Sequence, residues 1–183
     1  HRMIRCLVGL FCICLTSFGS ATAQSTLSYA EYQVKAVFLY NFSKFTNWSP
    51  SNDPFVICII GRDDFHGGLE RVVEGRDLAG RPYQVERSDD LSKISGCDIL
   101  FISESENSRI EEITAEATRQ GVLTVGETPG FELRGGIINL VHVGENIRMR
   151  INLTTAQNAN IEFRSSLLKL AQIVEPPGND LPS

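Results

Sequence analysis

Apolar positions along this chain change their spacing several times, and each change marks an element. A helix-compatible run opens at Ser28-Tyr29-Ala30-Glu31, which has the capping-box pattern, and closes at Trp48-Ser49-Pro50. Strand patterns follow at 55–60, 83–87, 98–102 and 122–125, with helices expected near 65–74 and 107–119. Continuous apolar strands alternating with helices predict a parallel sheet covered on both faces. Gly135-Gly136 then introduces an apolar run at 137–143, and Gly144-Glu145-Asn146 separates it from a second at 147–153, which is a hairpin signal. Thr154-Thr155-Ala156-Gln157 repeats the capping box, and Ile161, Leu167, Leu168, Leu170 and Ala171 place an apolar stripe on a final helix. The expected fold is α/β: a three-layer sandwich, its mostly parallel sheet flanked by helices, ending in a β-hairpin and a final helix.

The first residues stand apart from this pattern. Met3-Ile4-Arg5 is a short positive start, residues 6–18 form an apolar run, and Ala21-Thr22-Ala23 fits the small-x-small cleavage rule. The run is shorter than the roughly 20 apolar residues of a membrane helix. Residues 1–23 therefore read as a signal peptide, 24–175 as one domain and 176–183, opening with Pro176-Pro177-Gly178, as a tail. Losing Arg2 and Arg5 takes the formal charge from −5 to −7. Such a surface repels phosphate backbones, and no basic stripe with interleaved aromatics is present, which argues against nucleic-acid binding.

Within residues 29–48 lie Tyr29, Tyr32, Phe38, Tyr40, Phe42, Phe45 and Trp48, about half of the aromatic residues beyond the leader. Only Glu31, Lys35, Asn41 and Lys44 clearly prefer water, so the block carries more apolar surface than one buried helix face needs. Tyr32, Phe38, Phe42, Phe45 and Trp48 are accordingly the expected partner-binding surface. The alternative is an amphipathic helix with a wide core face.

Two cysteines remain beyond the leader, Cys58 and Cys97, both within strand patterns. In an exported protein they read most simply as a disulfide, with two buried free thiols as the alternative. Neither has a histidine nearby in sequence, and no CxxC pair occurs. His66 and His142 lack acidic or cysteine neighbours at metal spacing, so no metal and no cofactor is expected. Gly61-Arg62-Asp63-Asp64 follows a strand and precedes a helix, but lacks the spacing of a nucleotide loop. Doubly wound sheets place ligands outside the carboxyl ends of their strands, which makes Gly61, Asp64, Ser103, Glu104 and Thr128 a candidate ligand pocket. No serine elbow or catalytic carboxylate pair is recognisable, and an enzyme is not expected.

An ordered series of segments resembles the YfiR-like periplasmic regulators. It begins with Glu31-Tyr32-Gln33-Val34-Lys35-Ala36-Val37-Phe38-Leu39-Tyr40-Asn41-Phe42-Ser43-Lys44-Phe45 and Trp48, and continues in Ile57-Cys58-Ile59-Ile60-Gly61 with Asp64 and Phe65. It resumes at Cys97-Asp98-Ile99-Leu100-Phe101-Ile102-Ser103, at Val122-Leu123-Thr124-Val125 with Gly130-Phe131, and at Gly135-Gly136-Ile137-Ile138-Asn139. It closes with Ile151-Asn152-Leu153 and Ser165-Ser166-Leu167-Leu168-Lys169-Leu170-Ala171. The resemblance implies an α/β domain, often dimeric, that represses the periplasmic sensor domain of an inner-membrane diguanylate cyclase of the YfiN type. It implies sequestration by an outer-membrane OmpA-like lipoprotein, with cyclic di-GMP and biofilm rising when repression is relieved. It also implies a structural disulfide at Cys58 and Cys97, while the second cysteine pair of some members has no counterpart between Cys97 and Ser183. The rival expectation is a periplasmic receptor for a small molecule, with the strand-end loops as its site.

Overall fold

The computed structural model describes residues 20–175, with side chains from Ser28 onward. The leader read over 1–23 falls almost wholly outside the described residues, and the tail at 176–183 wholly so. In chain order the elements are α1 (Ser20–Phe45), β1 (Thr46–Asn47), β2 (Phe55–Ile60), α2 (Gly68–Val73), β3 (Asp77–Leu78) and β4 (Arg81–Arg87). Then come β5 (Ile99–Ile102), α3 (Ile110–Gln120), β6 (Leu123–Gly126), β7 (Ile138–Val143) and β8 (Asn146–Asn152). The chain continues through α4 (Leu153–Asn158), β9 (Glu162–Phe163), α5 (Ser165–Leu168) and β10 (Gln172–Val174).

Eight strands form one sheet in the order β10-β8-β7-β6-β5-β2-β4-β3, with antiparallel pairing only at β7–β8 and β3–β4. Side chains alternate across a strand, and the apolar strands divide accordingly. Phe55, Ile57, Ile59, Ile99, Phe101, Leu123 and Val125 face a core shared with Tyr32, Ala36, Leu39 and Phe42 of α1 and Leu69 of α2. Val56, Cys58, Ile60, Leu100 and Ile102 face a second core closed by Ile110, Ile113 and Ala117 of α3. Both faces of the central strands are covered, so their runs read as continuously apolar instead of alternating.

Local chemistry sets the boundaries. Ile110, Ile113, Thr114 and Ala117 supply the buried face of α3, and Gly121 ends it in the left-handed conformation (φ 72°) that favours glycine. The first turn of the helix expected at 107–119 is a 3-10 turn, Glu104–Arg109, capped by the Ser103 side chain. Gly126 and Gly136 sit beneath the Phe131 ring, where an added Cβ would lie 2.5 and 2.2 Å from ring atoms. Cys58 and Cys97 are disulfide-bonded with Cα atoms 5.8 Å apart, tying β2 to the segment that leads into β5.

Three expected elements differ. The first helix starts at Ser20, so Ser28 lies inside it and does not cap it. The helix near 65–74 is shorter, because His66 and Gly67 are left-handed (φ 49° and 73°) and Phe65 plugs the first core. The single final helix is absent. Asn152 caps α4 by accepting from Thr155 N at 3.0 Å, left-handed Asn160 turns the chain, and β9 pairs antiparallel with β1. The chain then adds β10 parallel to β8, leaving Leu170, expected on a buried stripe, 73% exposed. Backbone groups of Thr46 and Asn47 that need partners outweigh the local helix signal. No helix among the described residues is long and apolar enough to cross a membrane.

Candidate functional site

The aromatic block divides by face. Tyr32, Ala36, Leu39 and Phe42 recur at helical spacing on the inner side of α1, which makes them core. Tyr32 is 8% exposed and meets Phe65 edge to face at 5.3 Å between ring centroids. Phe42 is fully enclosed and stacks on Phe38 at 5.8 Å. Phe38, Phe45 and Trp48 are half-buried against the same core. Trp48 packs edge to face on Phe55 at 4.9 Å and donates from Nε1 to the Ser43 carbonyl at 2.6 Å. Tyr32 and Phe42 are therefore interior and not a surface, because facing rings within the domain absorb them. Three large apolar side chains of α1 stay bare: Tyr29 in its first half, and Val34 and Val37, 47% and 46% exposed, on the side opposite the core stripe. The two valine positions, two to three residues out of phase with Tyr32 and Leu39, carry that signal in the sequence.

The strand ends build a polar crest. Glu127 follows β6, and its side chain is 5% exposed. Its carboxylate accepts from Lys35 Nζ at 2.5 Å, from the Tyr32 hydroxyl at 3.1 and 3.0 Å, and from the Glu104 backbone N–H at 3.1 Å. Lys35, 3% exposed, also pairs with Glu31, and His142 Nε2 lies 2.9 Å from the same Glu31 carboxylate. Burial pushes the Tyr32 hydroxyl well above its ordinary range, and the Glu127 carboxylate adds to this, so Tyr32 remains a neutral donor. Burial opposes ionisation of Glu31, but hydrogen bonds from Lys35 and His142 outweigh it and lower that carboxyl below 4.5.

These groups border a cavity of about 380 Å³. Of the five residues expected there, Asp64 and Glu104 line it, beside Glu31, Lys35, Arg62 and Glu127. Gly61, Ser103 and Thr128 do not. Ser103 and Thr128 are buried, and Gly61 is left-handed with Ser105 Oγ occupying the place its Cβ would take. Two backbone donors of the loop are already used: Gly61 N–H goes to Asp89 at 3.1 Å and Arg62 N–H to Ser105 Oγ at 2.9 Å. The acidic side chains of Asp63 and Asp64 beside them repel an anion. Lys35, expected to prefer water, is instead buried, because its partner Glu127 stands 92 positions away and only the fold brings the two together. Among the described residues, no group of three or more histidine, cysteine, aspartate or glutamate side chains is placed to hold a metal ion.

Comparison with known proteins adds a lineage. The search of curated proteins found no match. A conserved domain protein from Vibrio cholerae O1 biovar El Tor superposes with a TM-score of 0.52 at 11% identity, covering 78% of this chain and 59% of that one. A substrate binding protein with adhesive properties from Clostridium difficile, in its ligand-free, open form, gives 0.52 at 9% identity, covering 77% and 58%. The chain thus spans less than two thirds of either structure, and the likeness is one of fold: an α/β sheet flanked by helices. Family models are more specific, and the one described as YfiR/HmsC-like matches residues 32–172, from the inner stripe of α1 to β10. The chain belongs to the YfiR/HmsC-like family, a family of periplasmic regulatory proteins.

Proposed function

We propose that this protein is an exported regulator that binds the periplasmic sensor domain of an inner-membrane diguanylate cyclase and holds it inactive, limiting cyclic di-GMP and biofilm formation. Family membership over residues 32–172 carries the reading, and the bare aliphatic stripe on α1 supports it. Val34 and Val37 form the centre of the contact, with half-buried Phe38 and Phe45 at its margin and Trp48 beyond the helix end. Repression needs only differential affinity: a twentyfold preference for the inactive cyclase is about 1.8 kcal/mol, within reach of a few apolar contacts. An OmpA-like outer-membrane lipoprotein is the natural sequestering partner, and a homodimer the natural assembly. The mechanism requires no cofactor and no catalytic group.

Co-expression tests the reading. The cyclase sensor domain should co-purify with the exported protein, and cells lacking the protein should accumulate cyclic di-GMP. Unchanged cyclic di-GMP in the deletion strain, together with failure to co-purify, would contradict it. The receptor alternative gains support from the crest cavity, but the groups on its floor are bonded to one another, which leaves the regulator as the stronger reading.

A further inference from the structure

The last strands of the sheet, β4 and β3, leave an edge that is only partly covered. β4 pairs along its length with β2, while β3 takes only its first two residues, Arg81 and Pro82. Backbone groups alternate between the two edges of a strand, and Ser88, which follows β4, donates from its N–H to the Ile59 carbonyl at 3.2 Å. Glu86 and Gln84 keep the same phase and serve β2, so the N–H and C=O groups of Tyr83, Val85 and Arg87 point outward. None of these outward groups has a hydrogen-bond partner among the described residues. Soluble proteins blunt such edges with proline, bulges or charges. Pro82 lies in the part that β3 already covers, and beyond it the pairing register of β4 is unbroken. A cavity of about 680 Å³ adjoins the open stretch, between the end of α2 and β4. Val73, Pro82, Tyr83 and Val85 form its apolar wall, with Tyr83 and Val85 half-buried against the first core. Its charges balance: Glu70 pairs with Arg87 at 2.6 Å, and Arg71 and Arg76 stand against Glu74 and Asp77.

The geometry points to a docking site for an extended segment of a partner protein, uncharged at its centre and apolar at alternate positions, which joins the sheet as a strand beside β4. Main-chain hydrogen bonds to Tyr83, Val85 and Arg87 supply the affinity, because only an extended chain carries donors and acceptors at the spacing of these three residues. Every second side chain of the added strand falls on the face that Tyr83 and Val85 occupy. Those side chains enter the cavity between α2 and β4 and supply the selection. The balanced rim sets the charge of the segment, since a strongly charged one gains at one pair of side chains and loses as much at the other. The site uses none of the residues assigned to the cyclase contact and stands independently of that reading.

Dye-labelled peptides with blocked ends, in which threonine alternates with valine, leucine or phenylalanine over five residues, are titrated into the exported protein and followed by fluorescence anisotropy. At least one should bind saturably, and at least tenfold tighter than its counterparts carrying glutamate or lysine at the apolar positions. Methylating the alternate amide nitrogens that face β4 should abolish this binding, whereas methylating the other set should leave it. Val85→Pro removes an outward N–H and spares the ladder to β2, which Gln84 and Glu86 serve, so it should weaken binding at least tenfold with Tm within a few degrees. The methylated peptides pose the same question without altering the protein. Sedimentation velocity shows whether a second copy already occupies the edge. No saturable binding by any of the three peptides, equal binding by the two methylated sets, undiminished binding to folded Val85→Pro, or a dimer that this substitution dissociates would each overturn the assignment.

Discussion

The two ends of the sheet both concentrate charge, yet they use it differently. At the crest, Lys35, Glu127, Glu31, Tyr32 and His142 satisfy one another, and the Gly61 and Arg62 N–H groups are taken by Asp89 and Ser105. At the foot, the Arg81 guanidinium keeps a free arm and Arg164 keeps its whole head group. The crest is a fastening between α1 and the strand ends, whereas the foot leaves the exposed Arg164 without a carboxylate partner among the described residues.

Breaking each end in turn separates these roles, and the disulfide sets the upper scale. Replacing Cys58 and Cys97 together with serine releases a 39-residue link and should cost about 4 kcal/mol in the chain-entropy view, read from denaturant midpoints. At the crest, Glu127→Ala strands buried Lys35, the Tyr32 hydroxyl and the Glu104 N–H. It should cost about 3 kcal/mol, the lower end for a broken buried pair because Glu31 still reaches Lys35. A loss below 1 kcal/mol would show that the crest fastens nothing. Smaller again is the acid response. The Glu31 carboxyl lies below 4.5 when folded, so its contribution is complete above that value and is lost as pH falls through the lowered one. Glu31→Gln should therefore flatten the decline of Tm between about pH 5 and pH 3. At the foot, Arg164→Gln should change stability by less than about 0.5 kcal/mol, as expected for an exposed residue without a carboxylate partner among the described residues.

Periodicity carried most of the architecture. The runs at 55–60, 98–102 and 122–125 became β2, β5 and β6 because both of their faces are covered, and the glycine-flanked runs at 137–153 became the β7–β8 hairpin. The C-terminal part was not legible in this way. Whether 159–174 is helical depends on β1 needing a partner and on β8 offering an edge, and neither fact is local. The short β3, which meets β4 through left-handed Ala79 and Gly80, was equally hidden. The site was half legible. Counting rings in 29–48 overstated the surface, since Tyr32 meets Phe65 and Phe42 meets Phe38 within the core, while Phe38, Phe45 and Trp48 stay half-buried. The seven-residue spacing from Tyr32 to Leu39, set against Val34 and Val37, holds the correct division. Arg81 and Arg164 gave no signal, because they stand 83 positions apart in the chain (81 against 164) and only the fold brings them to one cavity.

The central claim is that the outer aliphatic stripe of α1 binds a membrane cyclase. Isothermal titration of the cyclase sensor domain tests it most directly, comparing the unaltered protein with Val34→Asp/Val37→Asp. Both positions are about half exposed, so the variant should keep its Tm within a few degrees. The account predicts at least a tenfold loss of affinity in the folded variant; binding of undiminished strength would contradict it.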